Sequence, residues 1–405
     1  LQKTGDGTWR LSGVSTYTGS TTVSNGSLKL GVNGAINSGS ALVVAPTTAS
    51  DASTLDLNGF TLTASNATAA LTLGGAANSN ANLSTGAAAT GVLTLGGNVV
   101  YDATSNPGTA TISGGAAGSG VTMTAARTFT IGDSGNTTKE LSVSAVITGT
   151  GGAVIKAGAG TMELTGANTY TGGTTVNAGT LLVNNTTGSG TGAAAVAVNS
   201  TATLGGNGII TGNVSVNAGG ILAPGSAVNT AGTITLSGST ISLAGNGSAE
   251  TRLAFDFTGA TGNVGAGVLA GGESWWTNYT GGLLTGTNGK ANDLVNFTAA
   301  TTNLDWDTGG RVVLNQLGVT PYTWMLGDVI NLLDWTSLST TGSTFNPGTD
   351  LILPDLDTAN TGLTWDTTRF LATGAAAVTP EPSRMLLLML GLMGLIFRRR
   401  RSRVG

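Results

Sequence analysis

The feature that most constrains this chain is a stretch used twice. Residues 158–183 read GAGTMELTGANTYTGGTTVNAGTLLV, and residues 5–30 read GDGTWRLSGVSTYTGSTTVSNGSLKL. Lys3, Gly5, Gly7, Thr8, Leu11, Gly13, Thr16, Tyr17, Thr18, Gly19, Thr21, Thr22, Val23, Gly26 and Leu28 all recur 153 positions later, as Lys156 through Leu181. Read at period two, the later copy gives three short strands, Thr161 to Leu164, Thr174 to Val176 and Thr180 to Val183, with Gly166, Gly172, Gly173 and Gly179 at the turns. Leu164, Val176, Leu181 and Val183 then face inward, and Thr174, Thr175 and Thr180 line outer faces. A strand-turn unit of roughly 20 to 30 residues cannot bury its apolar face alone, so its recurrence implies stacked neighbours and a solenoid.

LTGANTYTGGTTVNAGTLLV, with its weaker copy LSGVSTYTGSTTVSNGSLKL, resembles the autotransporter-associated β-strand repeat of exported bacterial passenger proteins. The resemblance implies an exported parallel β-helix and says little about what it binds. The fold expected for the whole chain is all-β: a right-handed parallel β-helix over 1–249, a small antiparallel β-sandwich-like domain over 250–379 that caps it, and a tail over 380–405 with a single hydrophobic helix.

Composition excludes several chemistries. The 405 residues include 66 Gly and are 9% charged yet 40% hydrophobic, which favours stacked strands over disorder, since disordered chains are poor in apolar residues and rich in charge. With neither Cys nor His, thiol nucleophiles, imidazole metal sites and Ser-His-Asp triads are all excluded. The net charge of -4 argues against nucleic acid, whose phosphates call for clustered Lys and Arg. No cofactor is implied. Leu1 is not a start methionine and no basic-then-apolar segment opens the chain, so a fragment or a processed form is expected.

Between the two repeats, runs such as Ser40 to Val44, Thr54 to Leu57, Phe60 to Thr63, Ala70 to Leu73, Val92 to Leu95, Val121 to Thr124, Thr128 to Ile131 and Leu141 to Ile147 read as degenerate rungs. Leu71-Thr72-Leu73-Gly74-Gly75 and Leu93-Thr94-Leu95-Gly96-Gly97 read as one corner reused a rung later. Residues 219–226, GGILAPGS, resemble the GGxLxPG turn near the end of autotransporter β-helices, which would make these the last rungs, with Pro224 at a corner or an edge. From about Glu250 the composition changes: six of the seven tryptophans lie in 250–379, with twelve acids against Arg252, Lys290, Arg311 and Arg369. Thr251 to Thr258, Asp293 to Phe297, Arg311 to Leu314, Val329 to Asp334 and Gly362 to Thr364 read as antiparallel strands of a second domain.

The tail has three parts. Pro380, Glu381 and Pro382 come first. The apolar run follows with Met385, Leu386, Leu387, Leu388, Met389, Leu390, Leu392, Met393, Leu395, Ile396 and Phe397, and the basic end is Arg398, Arg399, Arg400, Arg401 and Arg403. Thirteen helical residues from Met385 to Phe397 reach roughly 20 Å, short of the ~30 Å hydrocarbon core, so snorkelling arginines or a thinned bilayer must supply the rest. The arginines place that end on the cytoplasmic side and the body across the membrane. This order of parts is similar to the PEP-CTERM sorting signal. That resemblance implies that an exosortase, an integral-membrane cysteine transpeptidase, recognises Pro380, Glu381 and Pro382 and removes the helix, leaving the body released or attached at the cell surface, often in bacteria that make exopolysaccharide. A plain single-span anchor is the other reading.

Enzymatic sites on β-helices need carboxylates on neighbouring rungs. Asp51 and Asp56 are the nearest aspartate pair of the first 249 residues, and turn or surface roles explain them better. Asp305-Trp306-Asp307-Thr308-Gly309 and Asp355-Leu356-Asp357 lack the full spacing of a calcium loop and read as turn aspartates. Trp275, Trp276 and Tyr279, beside Asn278, offer an aromatic platform for sugar rings or, alternatively, core packing. The expected protein is thus a non-enzymatic, exported structural or adhesive protein. The alternatives are a polysaccharide-binding or polysaccharide-degrading β-helix and an autotransporter passenger.

Overall fold

The structure is a computed structural model. It describes residues 1–86, 90–114, 118–225, 232–238 and 240–244, and beyond these 251–257, 294–297, 302–306, 310–316, 329–331, 333–334, 338–342, 351–353, 363–367 and 375–380. The described residues contain strands and no helix of any length that could cross a membrane.

Short strands of alternating apolar and polar residues stack in parallel, one rung from each turn of the chain. Two sheets of thirteen strands run the length of the stack. The first begins at Gln2–Lys3 and ends at Leu338–Gly342; the second begins at Thr8–Leu11 and ends at Leu351–Ile352. A third side carries strands in two stretches of four, one from Leu62–Ala64 to Ile147–Thr148 and one from Ile209–Ile210 to Leu333–Asp334. In the later repeat the third side is a loop, and the turn is short: Val154 pairs with Thr174, and Thr174 with Val196.

The register lines up side chains into interior columns. In the first sheet Leu42, Leu71, Val99, Phe129, Lys156, Val176, Val198 and Val216 follow one another. In the second, Leu28, Leu55, Leu83, Ile112, Val143, Leu164 and Val183 do so. All of these are buried. Each buried Leu or Val contributes about 1.5–3 kcal/mol, but only when a neighbouring rung covers it, which is why the unit has to repeat.

The strands expected in the repeat are found at Thr161–Leu164, Thr174–Val176 and Gly179–Val183, with Leu164, Val176, Leu181 and Val183 inside. Thr174 is a correction. It shares the inward phase of Val176 and is 2% exposed, and the Tyr170 hydroxyl bonds its hydroxyl. The run Leu141 to Ile147 is two strands in different sheets, because the chain turns a corner at Ser144. The two Leu-Thr-Leu-Gly-Gly segments are not one corner reused: Leu71–Leu73 belongs to the first sheet and Val92–Leu95 to the third side.

Residues 219–225 are not the end of the stack. Pro224 closes the strand Ile221–Pro224, and the next rung pairs only Ile221 with Arg252 and Leu222 with Leu253, so the ladder opens before the residue that has no N–H to give. The sheets then cross residue 250. Thr251–Phe257, Leu294–Phe297, Thr302–Trp306, Gly310–Gln316, Leu333–Asp334, Leu338–Gly342 and Leu351–Ile352 all pair in parallel with rungs of the stack. The antiparallel sandwich expected from 250 is therefore not what these strands form. Antiparallel pairing is confined, among the described strands, to one three-stranded sheet, Val329–Asn331, Ala375–Pro380 and Leu363–Asp366 in that order.

Candidate functional site

The two repeat copies build the same buried device. Lys156 stands in an apolar column between Phe129 and Val176, and its side chain is fully buried. Its ammonium donates to the carbonyls of Ala157 at 3.2 Å, Gly158 at 2.7 Å and Ala178 at 2.9 Å, which joins its own corner to the corner one rung on. Lys3 does the same with the carbonyls of Thr4, Gly5 and Asn25. The corner requires glycine. Gly179 has φ 64°, and a Cβ there would lie 2.4 Å from the Gly158 carbonyl oxygen; Gly26 repeats this with φ 66° and 2.5 Å to the oxygen of Gly7. Burial pushes the Lys156 pKa down to about 8, with the charge of Glu140 opposing the shift.

Other polar groups serve the same end. Asn217 donates to Asn199 at 2.6 Å and Asn199 to Asn177 at 2.7 Å, a ladder over three rungs. Asn168, nearly buried, accepts from the Ile147 N–H and donates to the Gly190 carbonyl, stitching the third-side loop to both neighbours. The Tyr101 hydroxyl donates to the carbonyls of Pro107 and Gly108, and burial raises its pKa to about 12. Burial raises the Tyr170 pKa as well.

Five acids of the first 249 residues are engaged in structure. Glu163 takes bonds from Lys139 at 2.6 Å, Ser142 at 2.8 Å and Asn184 at 2.8 Å; burial alone would raise its pKa, and these bonds outweigh it and hold the carboxyl below its usual range. Glu140 accepts the Thr161 N–H at 2.6 Å and holds Ser134. Asp56 pairs with Lys29 at 3.3 Å and accepts the Asn58 N–H, while Asp102 and Asp133 each close a turn onto an N–H two residues on. Asp305 lies within a paired strand, between Ser242 and Thr341, and not in a turn. No group of three or more His, Cys, Asp or Glu is placed to hold a metal ion among the described residues.

Of the residues singled out in the tail, Pro380 is placed: it ends the strand Ala375–Pro380, opposite Leu363. Glu381, Pro382, the apolar run 385–397 and the basic end 398–403 lie outside the described residues, as do Trp275, Trp276, Tyr279, Asp307, Asp355 and Asp357. The lysine clamp, the asparagine ladder and Glu163 were not singled out from sequence. The signal for the clamp was there, since Lys3 and Lys156 are among the repeated identities.

These features define a parallel β-solenoid whose last described strand leads into a Pro-Glu-Pro tail. Two family models match it: the passenger-associated-transport-repeat over residues 1–30 and 154–183, and the PEP-CTERM protein-sorting motif over residues 378–401. No curated protein matches the chain. The repeat and the sorting motif are thus both present, and the motif supports export to the cell envelope with processing by an exosortase.

Proposed function

We propose that this is an exported, non-enzymatic structural or adhesive protein of the cell surface or extracellular matrix. It is held first in the membrane by residues 385–397, with Arg398 to Arg403 on the cytoplasmic side, and then processed after the Pro-Glu-Pro motif. The carrying observation is the sorting motif at 378–401, attached to a β-solenoid that carries the transport repeat twice. The role of the acids supports the non-enzymatic part: Glu140, Glu163, Asp56, Asp102 and Asp133 each hold a turn, a rung or a neighbouring cation. A neutral, hydroxyl-rich matrix such as exopolysaccharide suits a body with no Asp, Glu, Lys or Arg between residues 164 and 249.

The test is the intact mass of the protein from cells that carry the matching exosortase, compared with the double variant Pro380→Ala, Pro382→Ala. Loss of the segment after the motif in the wild type, and its retention in the variant, is the expected result. Retention of Met385 to Gly405 in both makes the tail a plain anchor and removes the sorting reading.

A further inference from the structure

The sorting motif and the terminal sheet share residues. The motif spans 378–401, and Val378, Thr379 and Pro380 are the last three residues of the strand Ala375–Pro380. They pair with Trp365, Thr364 and Leu363. On the strand's other side Val329–Asn331 reaches only Ala375, Ala376 and Ala377. The central strand is thus held by Val329–Asn331 from Ala375 to Ala377 and by Leu363–Asp366 from Ala377 to Pro380, so Ala377 alone is paired on both edges, and its final residue has no N–H to give to the ladder.

Distance sharpens the problem. Four residues, 381–384, separate Pro380 from the first residue of the apolar run. Fully extended they span at most about 14 Å. A processing enzyme embedded in the membrane would have to work in that gap, against a sheet that already occupies one edge of the chain it must grasp. Enzymes and receptors that take an extended chain do so through its backbone groups, so a paired edge competes with them. Peeling 378–380 from 363–365 frees that edge and adds roughly 10 Å of reach.

We propose that the pairing of 378–380 with 363–365 gates the processing of this chain: Pro380 enters the enzyme only after those three residues have peeled from the sheet. The gate rests on the sorting reading above. Its hinge is Ala377, the one residue of the strand paired on both sides, where the hold passes from Val329 to Asp366. Leu363, Thr364 and Trp365 act as positioning residues, through the strand they hold and not through contact with the enzyme. The weight of the gate is what one or two strand hydrogen bonds cost to open, about tenfold in rate.

The chain has no cysteine, so a cross-strand lock can be introduced cleanly. Thr364 and Thr379 are directly opposed. Opposed antiparallel residues have Cα atoms about 4.5–5.5 Å apart, within disulfide reach. The double variant Thr364→Cys, Thr379→Cys is followed by pulse-chase and intact mass in cells with the matching exosortase, beside the single variant Thr379→Cys and the wild type, each with and without reductant. The expected result is a full-length oxidised double variant, at least tenfold slower than wild type, whose rate returns on reduction. A second variant, Thr364→Pro, weakens the pairing and should be processed several-fold faster than wild type.

An oxidised double variant processed at the wild-type rate overturns the gate. So does an unchanged rate in Thr364→Pro, which keeps the question decidable if the disulfide does not form. If the wild type itself keeps residues 385–405, the sorting reading has failed and the gate falls with it. A processed wild type with an indifferent lock removes the gate alone.

Discussion

Lys156→Met is the sharpest test of what holds the repeat together. The two side chains have similar length, so the change removes the ammonium and little of the packing. It leaves the carbonyls of Ala157, Gly158 and Ala178 facing a fully buried side chain that cannot donate to them. A stranded buried acceptor costs about 1–3 kcal/mol, so three of them cost roughly 3–9 kcal/mol. Against this, the wild type carries the cost of burying an ammonium. A pKa near 8 in place of 10.5 corresponds to roughly 3 kcal/mol, and methionine removes that cost. The difference lies between about 0 and 6 kcal/mol, so the orphaned carbonyls outweigh the ammonium's burial and the net destabilisation should centre near ~3 kcal/mol. A solenoid need not unfold as one unit, so the assay is native-state hydrogen exchange on the full chain, read at the amides of 153–183 and compared with those of 71–131. Loss of protection centred on the rungs at 153–183 is expected. Unchanged or higher protection there would mean that the three carbonyls do not depend on the ammonium, and the clamp reading would fail.

Further outcomes follow from the same contacts. Between pH 8 and 10.5 the unfolded chain binds the Lys156 proton more readily than the folded one, so stability should rise across that window by up to about 3 kcal/mol. Tyr101 runs the other way: its folded pKa near 12 lies above the unfolded 10.0, so its contribution is complete below pH 10 and lost as pH climbs through 12. A thermal-melt series against pH should therefore peak near pH 10, and Lys156→Met should flatten the rise and leave the fall. Glu163→Gln removes a carboxylate whose stabilising contribution is present above its unfolded pKa and lost as pH drops through the depressed folded value. Chemical denaturation should show the variant weaker by about 1–2 kcal/mol at neutral pH and no weaker than wild type in acid. Gly179→Ala forces a Cβ to within 2.4 Å of a carbonyl oxygen at φ 64°, and exchange at the 174–183 rung should report a loss of about 3 kcal/mol or more.

Where sequence reasoning succeeded, local pattern carried the information. Thr161–Leu164 alternates polar with apolar residues, and Gly160 and Gly173 open it and Thr174–Val176, so their limits could be read directly. The phase of Thr174 was misjudged because threonine suits an outer face, and only the buried Tyr170 hydroxyl gives it a reason to turn inward. Lys156 carried no sign of burial in its own residue type. It is the register, which seats it between Phe129 and Val176, that makes it an interior residue. Past residue 250 the tryptophans and acids suggested a new domain, yet strand pairing depends on the alternation within each short strand and not on the composition of what lies between. Ile241 pairs with Leu304 across a long stretch of chain, a separation at which no repeat is visible to the eye.

That continuity changes what the tail is attached to. A capping domain between solenoid and membrane would have allowed the two to move independently. Instead the sheets reach Leu338–Gly342 and Leu351–Ile352, and the strand that carries Pro380 pairs with Val329–Asn331, a segment lying between two rungs of the stack. Thirteen rungs at about 4.7–4.9 Å give a stack of roughly 60 Å. The first lysine clamp stands on the first rung of the stack, and the charge-free rungs follow the second clamp. A force drawn along the tail enters the terminal antiparallel sheet before it reaches the parallel stack, so the segment that yields first is the one whose opening exposes the motif.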